Sequence, residues 1–402
     1  MKRHGRKRAG AWWALCGMVW LAWTATARGD APRPGRAPAR VTPARKLEGS
    51  IMPFLGKPRF ESQRLFGSGR FPNVVVASDG GVLAFWDGVV VRRSEDGGRT
   101  WGAPTEVGKG FMGGGVTVDL LVGDVLAFVE ERHPPAPWTL YRSRDHGRTW
   151  RPEAANIRPG RSGNVPSMHM NEHGITLIRG ADRGRLIRAS RWYAGKNDEE
   201  HHPQHYTDAI YSDDGGRTWR ASEPFPAMGT GEAAVAELSD GRLYYNSRRH
   251  WAPPGVNARR RWTASSTDGG RTWGGLAMCE ALPDGDQDRD YGLMGGLVRL
   301  PVEGRDVLLF SNIASASGRK NGMVWASFDG GGTWPVRQGV TPGAFAYSSM
   351  DAGRPGGAAE GWVYLLFEDD RGGSVARFNL SWVVDGELTG DGVVPSWAGR
   401  LR

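Results

Sequence analysis

Several stretches of the chain carry residue types that can move protons or hold ions. Residues 166–173 (PSMHMNEH) and 199–205 (EEHHPQH) are rich in His and carboxylates, the groups suited to general acid–base work near neutral pH. Their spacing matches no strong metal-ligand motif, so they read as polar loops able to lend a proton donor. Asp286, Asp288 and Asp290 alternate in DGDQDRD as in a cation loop, but an exposed acidic loop is the expected outcome. Cys279 is the only cysteine beyond Cys16 and is expected to be a buried small hydrophobe rather than a nucleophile. The most insistent pattern is an octapeptide in five copies: SEDGGRTW (94–101), SRDHGRTW (143–150), SDDGGRTW (212–219), STDGGRTW (266–273) and SFDGGGTW (327–334). Its acids lack the spacing of a calcium loop. No single stretch therefore names a reaction, and a site must be assembled from residues far apart in the chain.

The repeat says what assembles them. In Ser-x-Asp-x-Gly-x-Thr-Trp, Asp and Ser side chains can hold a turn by bonding backbone N–H groups, Gly supplies positive φ, and Thr-Trp opens the next strand. The Trp is expected to pack back over its own hairpin. Alternating apolar runs precede the copies, as in Val89-Val90-Val91-Arg92-Arg93, and others follow Ser-Asp-Gly turns, as in Gly241-Arg242-Leu243-Tyr244-Tyr245. These read as short antiparallel strands. Units of about 50–60 residues, each with room for four strands, predict an all-β, six-bladed β-propeller over 59–395 with Asp-box hairpin repeats. Composition agrees. Gly and Pro total 85 of 402 residues without a collagen period, and 18 Trp exclude a disordered chain. In a propeller, loops gather at one end of the central channel, so a site takes single residues from many blades.

The net charge of +9 is misleading. Residues 1–50 hold 11 of the 52 Lys/Arg and only two of the 43 Asp/Glu, which leaves the rest balanced at 41 of each sign. No global basic excess remains, so a nucleic-acid partner is not expected. Residues 1–27 have a basic start, an apolar run (9–23) and Ala25-Thr26-Ala27, the pattern of a secretory signal peptide. The expected location is secreted or periplasmic, with no stable membrane insertion after cleavage. A Pro- and Arg-rich linker is expected over 28–58. With one cysteine left after cleavage, no internal disulfide is expected.

Repeated Ser-x-Asp-x-Gly-x-Thr-Trp boxes after Gly69-Arg70-Phe71-Pro72 resemble the bacterial Asp-box (BNR repeat) sialidases, or neuraminidases, over about residues 60–385. More specific matches are Gly231-Glu232 followed by Leu238-Ser239-Asp240-Gly241 and Asn246-Ser247-Arg248, and Ser311-Asn312-Ile313-Ala314 before Arg319. Phe345-Ala346-Tyr347-Ser348-Ser349, Leu365-Leu366-Phe367-Glu368, Phe378-Asn379-Leu380-Ser381-Trp382 and residues 173–177 (HGITL) complete the likeness. The resemblance implies a retaining exo-α-sialidase that needs no cofactor or metal and acts as a monomer on sialylated or related acidic glycans. By the same resemblance Arg70, Arg248 and Arg319 clamp the sugar carboxylate, Glu368 supports Arg70, Tyr347 is the nucleophile and Glu232 its base. These types suit one another. Guanidiniums bind a carboxylate through charge-assisted bonds. A neutral Tyr hydroxyl deprotonated by Glu also avoids the repulsion that a carboxylate nucleophile would meet.

One departure stands out. The family places an acid/base Asp in a loop between the first two strands of its first blade, and here Phe85-Trp86-Asp87-Gly88 runs straight into Val89-Val90-Val91. Asp87 is the nearest candidate acid. The shortened loop leaves open an alternative, a non-catalytic or altered-chemistry carbohydrate-binding propeller.

Overall fold

Strand and turn chemistry repeats along the chain, and the computed structural model shows what it builds. Residues 46–87, 89–168, 171–289 and 292–385 are described. The signal peptide expected at 1–27, most of the linker, and 386–395 of the expected domain lie outside them.

Six antiparallel sheets follow one another. The first blade is Asn73–Val76, Val82–Trp86, Val90–Ser94 and Thr105–Glu106; the second is Phe111–Val118, Val125–Glu130, Trp138–Ser143 and Arg151–Glu153. Ile175–Thr176, Leu186–Trp192, Tyr206–Ser212 and Thr218–Ala221 make the third, with Asn156–Arg158 added parallel to its outer strand. The fourth is Thr230–Glu237, Leu243–Arg249, Arg260–Ser266 and Gly274–Pro283, and the fifth Leu297–Arg299, Leu308–Ile313, Lys320–Ser327 and Val336–Ala344. The sixth takes Ser348–Ala352, Val363–Asp369 and Gly372–Phe378 from the end of the domain and its outer strand, Phe60–Phe66, from the start, in register from Phe60 opposite Phe378. First strands of neighbouring blades touch around a closed ring. The chain is thus a six-bladed β-propeller closed by its N-terminal strand.

The five boxes link third to fourth strands. In the third blade Ser212 Oγ accepts from Gly216 N (2.8 Å), Asp214 Oδ1 accepts from Arg217 N (3.0 Å) and Thr218 N (2.9 Å), and Thr218 Oγ1 donates to Asp214 Oδ2. The side chains thereby satisfy the backbone donors of the turn. Gly216 has φ 85°, and a Cβ there would lie 2.3 Å from Leu126 Cδ2 in the second blade. Only glycine meets both conditions. The box Trp does more than cover its hairpin. Trp219 is fully buried and meets Phe128 of the preceding blade edge-on at 5.3 Å, and Trp150 meets Phe85 at 5.7 Å. Each box thus ties its blade to the one before it.

The linker assignment of 28–58 needs correction at its C-terminal end. Ile51, Phe54 and Leu55 are buried in one cluster with Val302, Leu380 and Val383, and Gly49 forms a parallel bridge with Val302. Arg179 and Arg299, from the third and fifth blades, both donate to Glu48. Burying three apolar side chains offsets the entropy of ordering this segment. Cys279 is half-buried against the cluster between the fourth and fifth blades. No helix among the described residues is long and apolar enough to cross a membrane.

Candidate active site

In every blade the first strand starts, and the second ends, at the same end of the propeller, opposite the boxes. All seven singled-out residues fall there. Arg70 precedes the first strand of the first blade and Asp87 follows its second; Glu232 and Arg248 sit in the first and second strands of the fourth blade. Arg319 precedes the third strand of the fifth, Tyr347 precedes the first strand of the sixth, and Glu368 lies near the end of its second.

Three of them form one hydrogen-bonded group at the axis. Tyr347 Oη donates to Glu232 Oε1 at 2.8 Å, Arg248 Nη1 donates to Glu232 Oε2 at 2.7 Å, and the same Nη1 is 3.1 Å from Tyr347 Oη. All three are buried. Glu232 reaches the axis because the pairing register shifts between Thr230 and Ala233, and such an irregularity re-aims a side chain. Arg70 forms a fork with Glu368, Nε to Oε1 at 3.2 Å and Nη2 to Oε2 at 3.1 Å, and lies 5.0 Å from the centre of the Tyr347 ring. Arg319 lies 5.5 Å from that ring. Its loop is tied down on both sides, by Gly318 N donating to Asp286 Oδ2 (2.7 Å) and Phe345 N to Arg319 O (3.1 Å). The carboxylate of Asp286 thus has a backbone partner, and among the described residues no His/Cys/Asp/Glu cluster is arranged to hold a metal.

The electrostatics are one-sided. Burial alone would raise the Glu232 pKa; the Arg248 charge and the His250 contact overcome it and hold the carboxyl well below its usual range. Burial and then the Glu232 charge push the Tyr347 hydroxyl up. In the resting site the proton therefore sits on Tyr347, within hydrogen-bond reach of an ionised carboxylate. Burial works against the charge on Arg70, but Glu368 more than offsets it and raises its pKa.

Asp87 stands apart. It is exposed, has φ 48°, and its N–H donates to Arg70 O at 2.7 Å. This places it on the rim beside Arg70, where its carboxyl forms no hydrogen bond with the axial group. Of the histidine stretches, His173 lies buried under the sixth blade, its Nε2 2.8 Å from Met350 O, and His201 pairs with Asp198 at 2.5 Å. His169 lies outside the described residues.

Sequence reasoning missed three features. His250 Nε2 is 3.2 Å from Glu232 Oε2. Arg191, fully buried, places Nη2 at 2.7 Å from His250 Nδ1 and 2.9 Å from His205 Nδ1. Phe71 has φ 68°, an uncommon conformation for a bulky residue, which turns its N–H onto Glu368 Oε1 (3.0 Å) while its ring packs edge-on against Phe111 at 4.8 Å. The available signals were that His250 follows Arg248 by two residues and that His205 closes the His-rich stretch 199–205.

A family model described as a BNR repeat-like domain matches residues 83–356. The chain belongs to the bacterial BNR-repeat (Asp-box) sialidase family. It is 32% identical to a sialidase of Micromonospora viridifaciens over 86% of this chain and 58% of that one. A Vibrio cholerae sialidase is 30% identical over 47% of this chain and 27% of its own length. The chain thus spans little more than half of the first of these relatives and about a quarter of the second. Among solved structures, a Hadza microbial sialidase superposes with a TM-score of 0.60 at 25% identity, covering 78% of this chain and 66% of that one. An intramolecular trans-sialidase from Ruminococcus gnavus has the same TM-score at 16% identity, with 82% and 96% covered, a likeness of fold.

Proposed function

We propose that this protein is an exported exo-α-sialidase that releases terminal sialic acid, or a related nonulosonic acid, from glycoconjugates with retention of configuration. The observation that carries this reading is the Tyr347 Oη–Glu232 Oε1 hydrogen bond of 2.8 Å with three arginines from three blades about Tyr347. Arg70, Arg248 and Arg319 bind the sugar carboxylate, and Glu368 holds Arg70 in its fork. Tyr347 Oη attacks the anomeric carbon while its proton passes to Glu232, and the bond to the leaving oxygen breaks. Asp87 supplies the proton that oxygen needs. Water then attacks the tyrosyl–sugar intermediate, giving its proton to Asp87 as Glu232 returns a proton to Tyr347. Two displacements at one carbon retain its configuration. The clamp orients a transition state whose positive charge develops beside the bound carboxylate.

The test is hydrolysis of a fluorogenic sialoside by wild type, Tyr347→Phe and Asp87→Ala. Wild type should turn over. Tyr347→Phe should lose about 10³-fold or more in kcat while still binding sialic acid, and Asp87→Ala should lose about 10²-fold, as expected for a positioned acid. The short turn at Asp87 and its exposed position support a second reading, a propeller that binds acidic sugars without turning over sialosides. An inert wild type that binds sialic acid would favour that reading.

A further inference from the structure

Behind Glu232 lies a buried chain of nitrogen ligands with only one consistent assignment of protons. Arg191 is fully buried in the second strand of the third blade. Its guanidinium nitrogens are donors only. Nη2 carries two protons and has two partners, His205 Nδ1 at 2.9 Å and His250 Nδ1 at 2.7 Å. Both Nδ1 atoms must therefore accept, which puts the ring proton of His250 on Nε2. That nitrogen is 3.2 Å from Glu232 Oε2, so it donates to the carboxylate.

We infer that Arg191 and His250 are positioning residues for Glu232. Arg191 locks the tautomer of His250, and His250 Nε2–H, with Arg248, fills Oε2 and leaves Oε1 as the face that takes the Tyr347 proton. The inference rests on the reading of Tyr347 and Glu232 as nucleophile and base. It gives a role to two buried residues that belong neither to the clamp nor to the Tyr347–Glu232 pair. Arg191 Nη1 is itself held by Tyr193 Oη at 3.2 Å, so the lock is anchored on the third blade while Glu232 stands on the fourth. Fixing the geometry of a base through a neighbouring hydrogen bond is how an outer residue tunes proton transfer.

The lock also sets a pH dependence. His250 faces Arg191 and Arg248 as cations, Glu232 as its anion, and His202, whose ring lies 4.8 Å away. Burial and then the two arginines push its pKa well below the usual histidine range. A depressed histidine stays neutral as pH falls through its ordinary range near 6.5, so in wild type His250 donates to Glu232 unchanged across that interval. Removing Arg191 removes one of those cations and the fixed acceptor role of Nδ1.

The test uses the full chain as wild type, Arg191→Met, His250→Met and His250→Gln, with thermal melts to confirm folding. The methionine variants should lose about tenfold or more in kcat, with KM within about twofold, part of the 10²–10⁴ that a positioned base contributes. The amide of His250→Gln can accept from Arg191 and donate to Glu232, so it should regain most of the loss. In Arg191→Met a new ionisation should enter the acid side of the kcat profile. Independently of turnover, nitrogen NMR of histidine-labelled protein should show His250 in wild type protonated on Nε2 alone from pH 5 to 8 (about 1.5 units either side of the free imidazole value). The His250→Gln spectrum assigns the signals. Finding Nδ1 protonated in wild type would overturn the inference, and so would a folded Arg191→Met with an unchanged kcat profile. Absence of sialoside hydrolysis in wild type would instead count against the proposed function, while the NMR result still decides the tautomer.

Discussion

Glu368 uses one carboxylate for two purposes. It grips Arg70 through two hydrogen bonds and accepts the N–H that Phe71 presents from a positive φ. Orientation of Arg70 and the local backbone strain thus depend on the same group. Glu368→Gln keeps the shape but removes the charge, and it should raise KM for a sialoside by about tenfold, or ~1.4 kcal/mol, with kcat changed less. Steady-state kinetics check this; an unchanged KM would detach Glu368 from the clamp. At this scale the sequence was legible wherever a residue sits in a local pattern. Arg70, Glu232, Arg248, Arg319, Tyr347 and Glu368 each follow a short motif, and the structure brings the other five to Tyr347. Arg191 was not legible. It lies one residue from the end of a strand reading LIRASRW, and its partners at 205 and 250 come from the turn before the adjoining strand of that blade and from the next blade.

The elements are held to one another by the boxes. A box turn satisfies its own backbone donors, but its glycine and tryptophan act across the boundary between blades. Gly216→Ala both strains φ and drives a methyl into Leu126, which should cost about 2–3 kcal/mol in urea unfolding. KM of the folded fraction should stay unchanged, because the box lies at the end of the propeller opposite Tyr347. A neutral substitution would mean that the contact with Leu126 relaxes freely. Hairpins and strands could be read from turn chemistry and alternation alone. The Trp wedge could not, because an eight-residue pattern does not show which neighbour its aromatic ring meets.

Across the whole molecule, ring closure decides whether the site exists. Arg70 reaches Glu368 only because the first and sixth blades meet, and that junction is completed by Phe60–Phe66 pairing with Gly372–Phe378. Residues 46–58 extend the closure: Glu48 ties to the third and fifth blades, and Phe54 is only 2% exposed. Phe54→Ala should destabilise the fold by about 3 kcal/mol, seen as a lower urea midpoint. Little or no change would show that this segment merely rests on the propeller. Its role was not legible because three apolar residues in a short Gly- and Pro-flanked stretch have no period to betray burial.

In the proposed reaction Tyr347 carries the sugar between the two displacements. The most direct measurement uses a sialosyl fluoride with a second fluorine next to the anomeric carbon, which slows release of a covalent intermediate more than its formation, followed by mass spectrometry of the digested protein. One sugar adduct per chain is expected, on the peptide that contains Tyr347, and none in Tyr347→Phe. Hydrolysis of ordinary sialosides with the adduct on another residue, or with no adduct at all, would contradict this role of Tyr347.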